Sequence, residues 1–312
     1  MTHASTIHPP DRPPTRLLLA TDLGARCDRA LDRTRQLANE WQAEVIAVNV
    51  LDPSANADQT LAWISGATDE QLMNVAQRQL VRDLAGMRMP VHVRIVRGPE
   101  PETAIQDIVI ATAVDLVVTA VARQETFGRA LLGSTNERLA RSLGQPLLVV
   151  HGRAHGPYRR IVVATDFSAA SRHALLTAVA FFPGRDLTLY HAYSPPMAGL
   201  SMTPPNAGAA PQIAHAECGA FIQGTRLPEG TLMHPVVECG TIATTLARYV
   251  RENDVDLVVL GGHGHTGFIS LLLGSTAERL LASLPCDTLL VPSHRSTVQI
   301  EPVLHTMRME DR

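Results

Sequence analysis

Residues 255–284, VDLVVLGGHGHTGFISLLLGSTAERLLASL, laid on residues 114–143, VDLVVTAVARQETFGRALLGSTNERLARSL, match at 16 of 30 positions without a gap. The same 141-residue offset carries LLGST from 131–135 to 272–276. RLLLATD at 16–22 returns as RIVVATD at 160–166, 144 residues further on. That many identities in one uninterrupted stretch exceed chance, so the chain reads as a tandem duplication with a period near 142 residues. Such a period is the size of a domain, far longer than the roughly 20–50 residues of a solenoid repeat.

Working outward from the repeat, the chain divides into an N-terminal arm (1–15), a first domain (16–152), a second domain (158–293) and a C-terminal tail (294–312). The junction falls at HGRAHGPY (151–158), which holds two glycines and a proline. The arm carries four prolines, and the tail shows no clear apolar period, so both are expected to be loose. SPPMAGLSMTPPNAGAAPQ (194–212) is rich in proline, glycine and alanine and reads as a mobile loop inside the second domain.

Short apolar runs alternate with helical patterns in each half. The predicted strands are 16–21, 43–50, 91–96, 116–120 and 146–151, then 160–165, 186–193, 234–238, 257–260 and 288–292. Helical patterns cover 25–42, 103–114 and 241–253 among others. Most of the strands are apolar with little alternation, as strands covered on both faces are. Strand–helix alternation predicts a parallel, doubly wound α/β sheet. Ligands in such sheets bind beyond the carboxyl ends of the strands at a topological switch point.

Composition narrows the function classes. The 312 residues are 45% hydrophobic and 18% charged, with a formal net charge of -3, an ordinary globular balance. That charge argues against nucleic acid or an anionic membrane surface as a partner held by bulk charge. No apolar run reaches the roughly 18 residues that span a bilayer, and MTHASTIHPPDRPPTR at the start lacks the apolar core of a secretory signal. Four scattered cysteines, Cys27, Cys218, Cys239 and Cys286, form no CxxC pair. They read as reduced thiols, and the expected location is the cytoplasm.

Two places carry site-like chemistry. The first strand of the second half ends in Ala164-Thr165-Asp166, where a carboxylate can accept hydrogen bonds from a ribose or a base edge. Asp166 or Ser168 reads equally well as the cap of the next helix. The fourth strand runs into GGHGHTGFISLLLGSTAERLL (261–281), with glycines at 261, 262, 264, 267 and 274. Glycine lets backbone N–H groups approach a phosphate closely, and Ser275 and Thr276 then open a helix whose N-terminus suits an anion. The loop has no Walker lysine and is not GxGxxG. Ser275-x-x-Glu278 and Ser134-x-x-Glu137 are also capping boxes, so these serines have a use without ligand. The glycine set is the stronger sign of an anion cradle.

With these residues in view, the chain resembles a tandem universal stress protein with two UspA-type domains over residues 16–293. The resemblance rests on the ATD after the first strand, the VDLVV strand, Gly-x2-Gly-x9-Gly-Ser, and Pro285-Cys286-Asp287 before the last strand. It implies two tandem Rossmann-like domains of the adenine nucleotide α-hydrolase type, each a five-stranded parallel sheet with helices on both faces. It implies pairing of domains through their last strands, and ATP binding wherever the signature is complete. Carried over, Ala164, Thr165 and Asp166 stand around adenine and ribose, Ala192 beside adenine, and Gly261 and Gly264 at ribose and phosphate. Gly274, Ser275 and Thr276 cradle the triphosphate. In the first half Ala120, Arg123 and Thr126 replace Gly261, Gly264 and Gly267, so one nucleotide per chain is expected, in the second half. ATP, accompanied by Mg²⁺, is the expected ligand. The implied role is a nucleotide-responsive regulator of stress tolerance, with a homodimer and an unidentified protein as partners.

Rival readings are distinct. His263 and His265, with His191 on the second strand of that half, make a partial transition-metal set, or polar histidines near phosphate. No dedicated base, arginine finger or phosphoryl-transfer lysine is evident, so no catalytic residue is assigned. Slow ATP hydrolysis or autophosphorylation is the most chemistry expected. A ligand-free interaction module of the same fold is the main alternative, and a flavoprotein relative is disfavoured by the 261–276 signature. Cys286 is expected to be a small buried residue and Cys239 to sit at a strand end.

Overall fold

A computed structural model of the chain describes residues 10–24, 27–51, 65–98, 100–121, 125–126, 129–130, 134–193, 210–262, 279–281 and 283–292. The first half runs β1 (Arg16–Thr21), α1 (Asp28–Trp41), β2 (Glu44–Leu51), α2 (Asp69–Asp83), β3 (Val91–Arg97), α3 (Pro101–Thr112) and β4 (Leu116–Ala120). A small ribbon of β5 (Glu125–Thr126) and β6 (Arg129–Ala130), then α4 (Ser134–Ser142) and β7 (Leu147–Val150), complete it. The second half runs β8 (Ile161–Ala164), α5 (Ala169–Phe181), β9 (Leu187–Tyr193), α6 (Ala210–Gln223), β10 (Met233–Cys239), α7 (Ile242–Glu252), β11 (Leu257–Gly261) and β12 (Asp287–Val291). Every large strand falls within about one residue of its expected place.

The ten large strands form one sheet in the order β10-β9-β8-β11-β12-β7-β4-β1-β2-β3. Each half contributes five parallel strands, and β8 and β1 are flanked on one side by the next strand in sequence and on the other by the fourth large strand of their half. The halves join where β12 runs antiparallel to β7, with Leu289 opposite Leu148. Two five-stranded sheets thus become one, with a single reversal of direction at the seam.

Burial explains why the strand runs lack alternation. Leu17, Leu19, Val45 and Ala47 point into a core shared with α1, α2, α5 and α6, while Leu18, Ile46 and Val48 point into a second core with α3, α4 and α7. Strands covered twice are apolar at most positions, and the exceptions here are Asn49, Thr119, Asp287 and Thr288. The edge strands β3 and β10 have no fully buried residue, and β3 alternates over most of its length; Pro235 in β10 removes a ladder donor where an edge tolerates it.

Two boundaries differ from expectation. Of the stretch expected to be irregular over 194–212, residues 194–209 lie outside the described residues, and 210–212 already belong to α6. Pro211 sits in its first turn, where a missing N–H costs nothing. Helix α3 starts at Pro101 and stops at Thr112, two residues ahead of its pattern, since Ala113 takes a left-handed φ of 49°.

A buried polar cluster fixes the seam. The Asp287 carboxylate accepts from Arg33 Nε (3.1 Å), Tyr158 Oη (2.7 Å), His151 N (2.8 Å) and Gly152 N (3.2 Å). Arg33 lies 4.0 Å from the centre of the Tyr158 ring and also donates to the Gly156 carbonyl. Burial, then the neighbouring Asp287 carboxylate, pushes the Tyr158 phenol well above its usual range. Trp41 from the first half meets Phe181 and Phe182 from the second at 5.8 and 5.7 Å, so aromatic surface closes over the charges.

Candidate functional site

The strand order places the switch point of the second half between β8 and β11, and that of the first half between β1 and β4. At each of them the chain leaves the first strand through the same turn. Thr165 Oγ1 accepts from Phe167 N (2.9 Å), and an Asp166 carboxylate oxygen accepts from Ser168 N (3.1 Å). In the first half Thr21 Oγ1 accepts from Leu23 N (3.0 Å), and Asp22 accepts from Gly24 N (2.8 Å). Phe167 and Leu23 have φ of 64° and 62°. A side chain in that region costs about 1–2 kcal/mol, which the two nested side-chain bonds offset. Thr-Asp after the first strand is therefore a turn-building pair in both halves, whatever it also binds.

The two readings of Asp166 and Ser168 now separate. Ser168 is the cap of α5, its hydroxyl accepting from Ser171 N at 3.2 Å. Asp166 is exposed, whereas Thr165 is buried and contacts Ser171 Oγ at 3.0 Å. Ala164 is half-buried at the end of β8, and Ala192 is half-buried near the end of β9, opposite Glu238 of β10.

Behind the turn stands an aromatic wall that the residue pattern does not single out. His191 Nδ1 lies 2.9 Å from the Thr165 carbonyl. A carbonyl only accepts, so this nitrogen carries the proton. The imidazole stacks on Phe167 at 4.3 Å, Phe167 meets Phe221 of α6 at 5.6 Å, and the Arg172 guanidinium lies over Phe221 at 4.5 Å. In the first half Asn49 takes the place of His191 and donates to the Thr21 carbonyl at 2.9 Å. The signal was available: Asn49 and His191 stand 142 positions apart, and each side chain meets the carbonyl of the threonine before the Asp of its half. As a metal-ligand candidate, His191 has one ring nitrogen committed to a carbonyl, and among the described residues no group of three acidic, histidine or cysteine side chains is placed to hold a metal. His263 and His265 lie outside the described residues.

Gly261 ends β11, next to β8 at the switch point. A Cβ on it would stand 2.7 Å from the Ala170 carbonyl oxygen and 3.0 Å from Ser171 N. The first turn of α5 thus packs directly on the Gly261 backbone, a reason for glycine that needs no ligand. At the matching place Ala120 carries its Cβ, and its carbonyl accepts from Asn136 Nδ2 at 2.9 Å. Gly264, Gly267, Gly274, Ser275 and Thr276 lie outside the described residues, as do Arg123 and the side chain of Thr126.

The thiols are placed as follows. Cys286 and Cys218 are buried, Cys27 is half-buried, and Cys239 is exposed. Burial pushes the Cys27 thiol up to about 12, helped by the Asp22 carboxylate whose oxygen lies 3.0 Å away. Burial raises Cys286 and Cys218 as well. Among the described residues no helix is long and apolar enough to cross a membrane.

Comparison with known proteins adds the following. The family model described as "Universal stress protein family" matches twice, over residues 14–151 and 157–292. A universal stress protein of Mycolicibacterium smegmatis (strain ATCC 700084 / mc(2)155) is 25% identical over 298 residues, covering 88% of this chain and 96% of its own. Universal stress protein Rv2005c of Mycobacterium tuberculosis (strain ATCC 25618 / H37Rv) is 30% identical over 189 residues, 55% of this chain and 60% of its own. Among solved structures, a universal stress protein from Archaeoglobus fulgidus DSM 4304 superposes with a TM-score of 0.58 at 18% identity, covering 89% of this chain and 98% of that one.

Proposed function

Because the chain belongs to the universal stress protein family, we propose that its second half binds one adenine nucleotide, ATP with Mg²⁺, at the β8–β11 switch point. The observation that carries this reading is an asymmetry between two halves that share one turn. In the second half the exposed Asp166 follows β8, and the neighbouring β11 ends at Gly261 and runs on to Gly262. In the first half Ala120 and Val121 stand there instead. Asp166 would hold the ribose hydroxyls, and Ala164, Thr165 and Ala192 would border the base. Backbone N–H groups at Gly264, Gly274, Ser275 and Thr276 would meet the phosphates, as glycine-rich loops opening a helix do. The nucleotide supplies negative charge that orders such a loop. This chain's residues supply orientation and donors.

On this reading residues 16–152 and 158–293 are the two domains, and the first is a partner without nucleotide. The protein acts in the cytoplasm as a nucleotide-responsive regulator, read by a protein partner or by a second copy of the chain. The test extracts bound nucleotide from the purified chain and titrates ATP by calorimetry, for wild type and Gly274→Val. About one ATP per chain, lost in Gly274→Val, supports the reading. Two per chain would place a second site in the first half. No heat at millimolar ATP would overturn it in favour of a ligand-free interaction module.

A further inference from the structure

The internal twofold gives the seam between the halves two related ends, and they are not alike. At one end a cavity of about 350 Å³ is lined by Arg33, Arg153, His155 and Arg159 together with Asp256 and Asp287. Adding the repeat offset of 144 to Arg33 and subtracting it from His155 and Arg159 places Thr177, Asp11 and Thr15 at the other end, and subtracting 141 places Pro146 there in place of Asp287. That second end is a smaller cavity of about 190 Å³ walled by the prolines of residues 10–14. The duplication alone would have made the ends equal, so Arg33, His155 and Arg159 are particular to the first end, while the second has Arg12 and His173 beside Asp11 and Asp115.

The charges of the first end are also unspent. Asp256 accepts from the backbone of Arg159 and Arg160 at 2.9 Å each. Asp287 accepts the four bonds of the seam cluster. Neither acid is paired with Arg153, His155 or the Arg159 guanidinium, which have no side-chain partner among the described residues. Arg33, only 5% exposed, is held by Asp287, Gln36 and Gly156 through Nε and Nη1. It reaches the cavity wall with Nη2 outside those bonds. One buried guanidinium and two exposed ones around a cavity of this size suit a tetrahedral dianion, which planar arginine forks grip in pairs.

We propose that this end of the seam is a binding site for a small phosphate-bearing anion, gripped by Arg153 and Arg159 over the fixed Arg33. The inference is independent of the nucleotide reading. Its site lies at the amino ends of β8, β11 and β12, away from the β8–β11 crevice at their carboxyl ends.

The test titrates the full chain with inorganic phosphate, pyrophosphate and ribose 5-phosphate by calorimetry at low salt. The double variant Arg153→Gln, Arg159→Gln and the separate variant Gly274→Val accompany wild type. Both arginines are exposed, so the double variant should melt as wild type does. Each lost charge-assisted bond is worth roughly tenfold or more in affinity, so the double variant should bind at least tenfold more weakly, while Gly274→Val binds as wild type. Preference for pyrophosphate or for the sugar phosphate tells an inorganic ligand from an ester. Unchanged affinity in the double variant, loss of binding in Gly274→Val, or no heat from any of the three anions at ten millimolar overturns the proposal. As a second readout, pyrophosphate should protect Arg153 and Arg159 from phenylglyoxal in wild type; equal modification with and without it counts against the site.

Discussion

Replacing Asp287 by alanine should weaken the protein more than any other change at the seam. The carboxylate is 3% exposed and holds a buried guanidinium, a buried phenol and two backbone N–H groups that link β7 to the junction. Arg33 would keep Gln36, Gly156 and the Tyr158 face but lose its counter-charge. Breaking a buried pair from one side costs about 3–5 kcal/mol. Water entering the vacated space would satisfy some of the four donors, so ~4 kcal/mol is a fair centre. Domains of ordinary stability have about 5–15 kcal/mol in total, so this is a large share. With a urea slope of about 3 kcal/mol per molar, the midpoint should fall by about 1.3 M. The assay is urea unfolding followed by far-UV circular dichroism, with Arg33→Met and the double variant completing a cycle. Arg33→Met should cost less than Asp287→Ala, because the three remaining donors still satisfy the carboxylate. A midpoint shift below about 0.3 M for Asp287→Ala, or full additivity in the cycle, would refute the claim that one carboxylate couples the halves.

Two further outcomes follow from the same contacts. Gly261→Ala should destabilise the chain by roughly 1–3 kcal/mol without any ligand, because its Cβ meets helix backbone and not a side chain that can turn away; a melting temperature equal to wild type would return Gly261 to a purely ligand-facing role. Dithionitrobenzoate at pH 8 should titrate one thiol promptly, Cys239. Cys27, held near 12 beside Asp22, is thiolate at only about one part in 10⁴ at that pH, and Cys218 and Cys286 are buried. Fast reaction of two or more thiols in the native chain would contradict that placement.

The fold was largely legible because its signal is redundant. Repetition of VDLVV and of the ATD turn marks the halves, and double coverage leaves every central strand apolar, so period and composition agree. The pairing of β12 with β7 came only from family resemblance, since an antiparallel seam leaves no periodicity in either strand. The site was legible at its residues and not at their reasons. Glycine at 261 reads in sequence as access for a phosphate, but its neighbours across space are Ala170 and Ser171, some 90 residues earlier. Phe167 carried no signal, and His191 read only as a partial metal ligand or a polar histidine near phosphate, because their stack needs the left-handed turn to bring them together. Asp287 read as part of a family motif, while its partner Arg33 lies 254 positions away.

Comparing the halves also reassigns weight within the motif itself. Thr-Asp after the first strand builds the same left-handed turn in the half with the glycine loop and in the half without it, so selection for the turn alone would keep both residues. What differs between the halves is next to the turn: Phe167 and His191 against Leu23 and Asn49, and Gly261 against Ala120. The seam follows the same logic. Arg33 in the first half meets Asp287 in the second, but the related positions are Thr177 and Pro146, so two copies of the first half would set Arg33 against Pro146 and leave a buried cation without an acid. Two copies of the second half would set Asp287 against Thr177 and lose the guanidinium. Of these pairings only a first half against a second half satisfies the charge, and at the same end of the seam the side chains of Arg153 and Arg159 have no partner among the described residues.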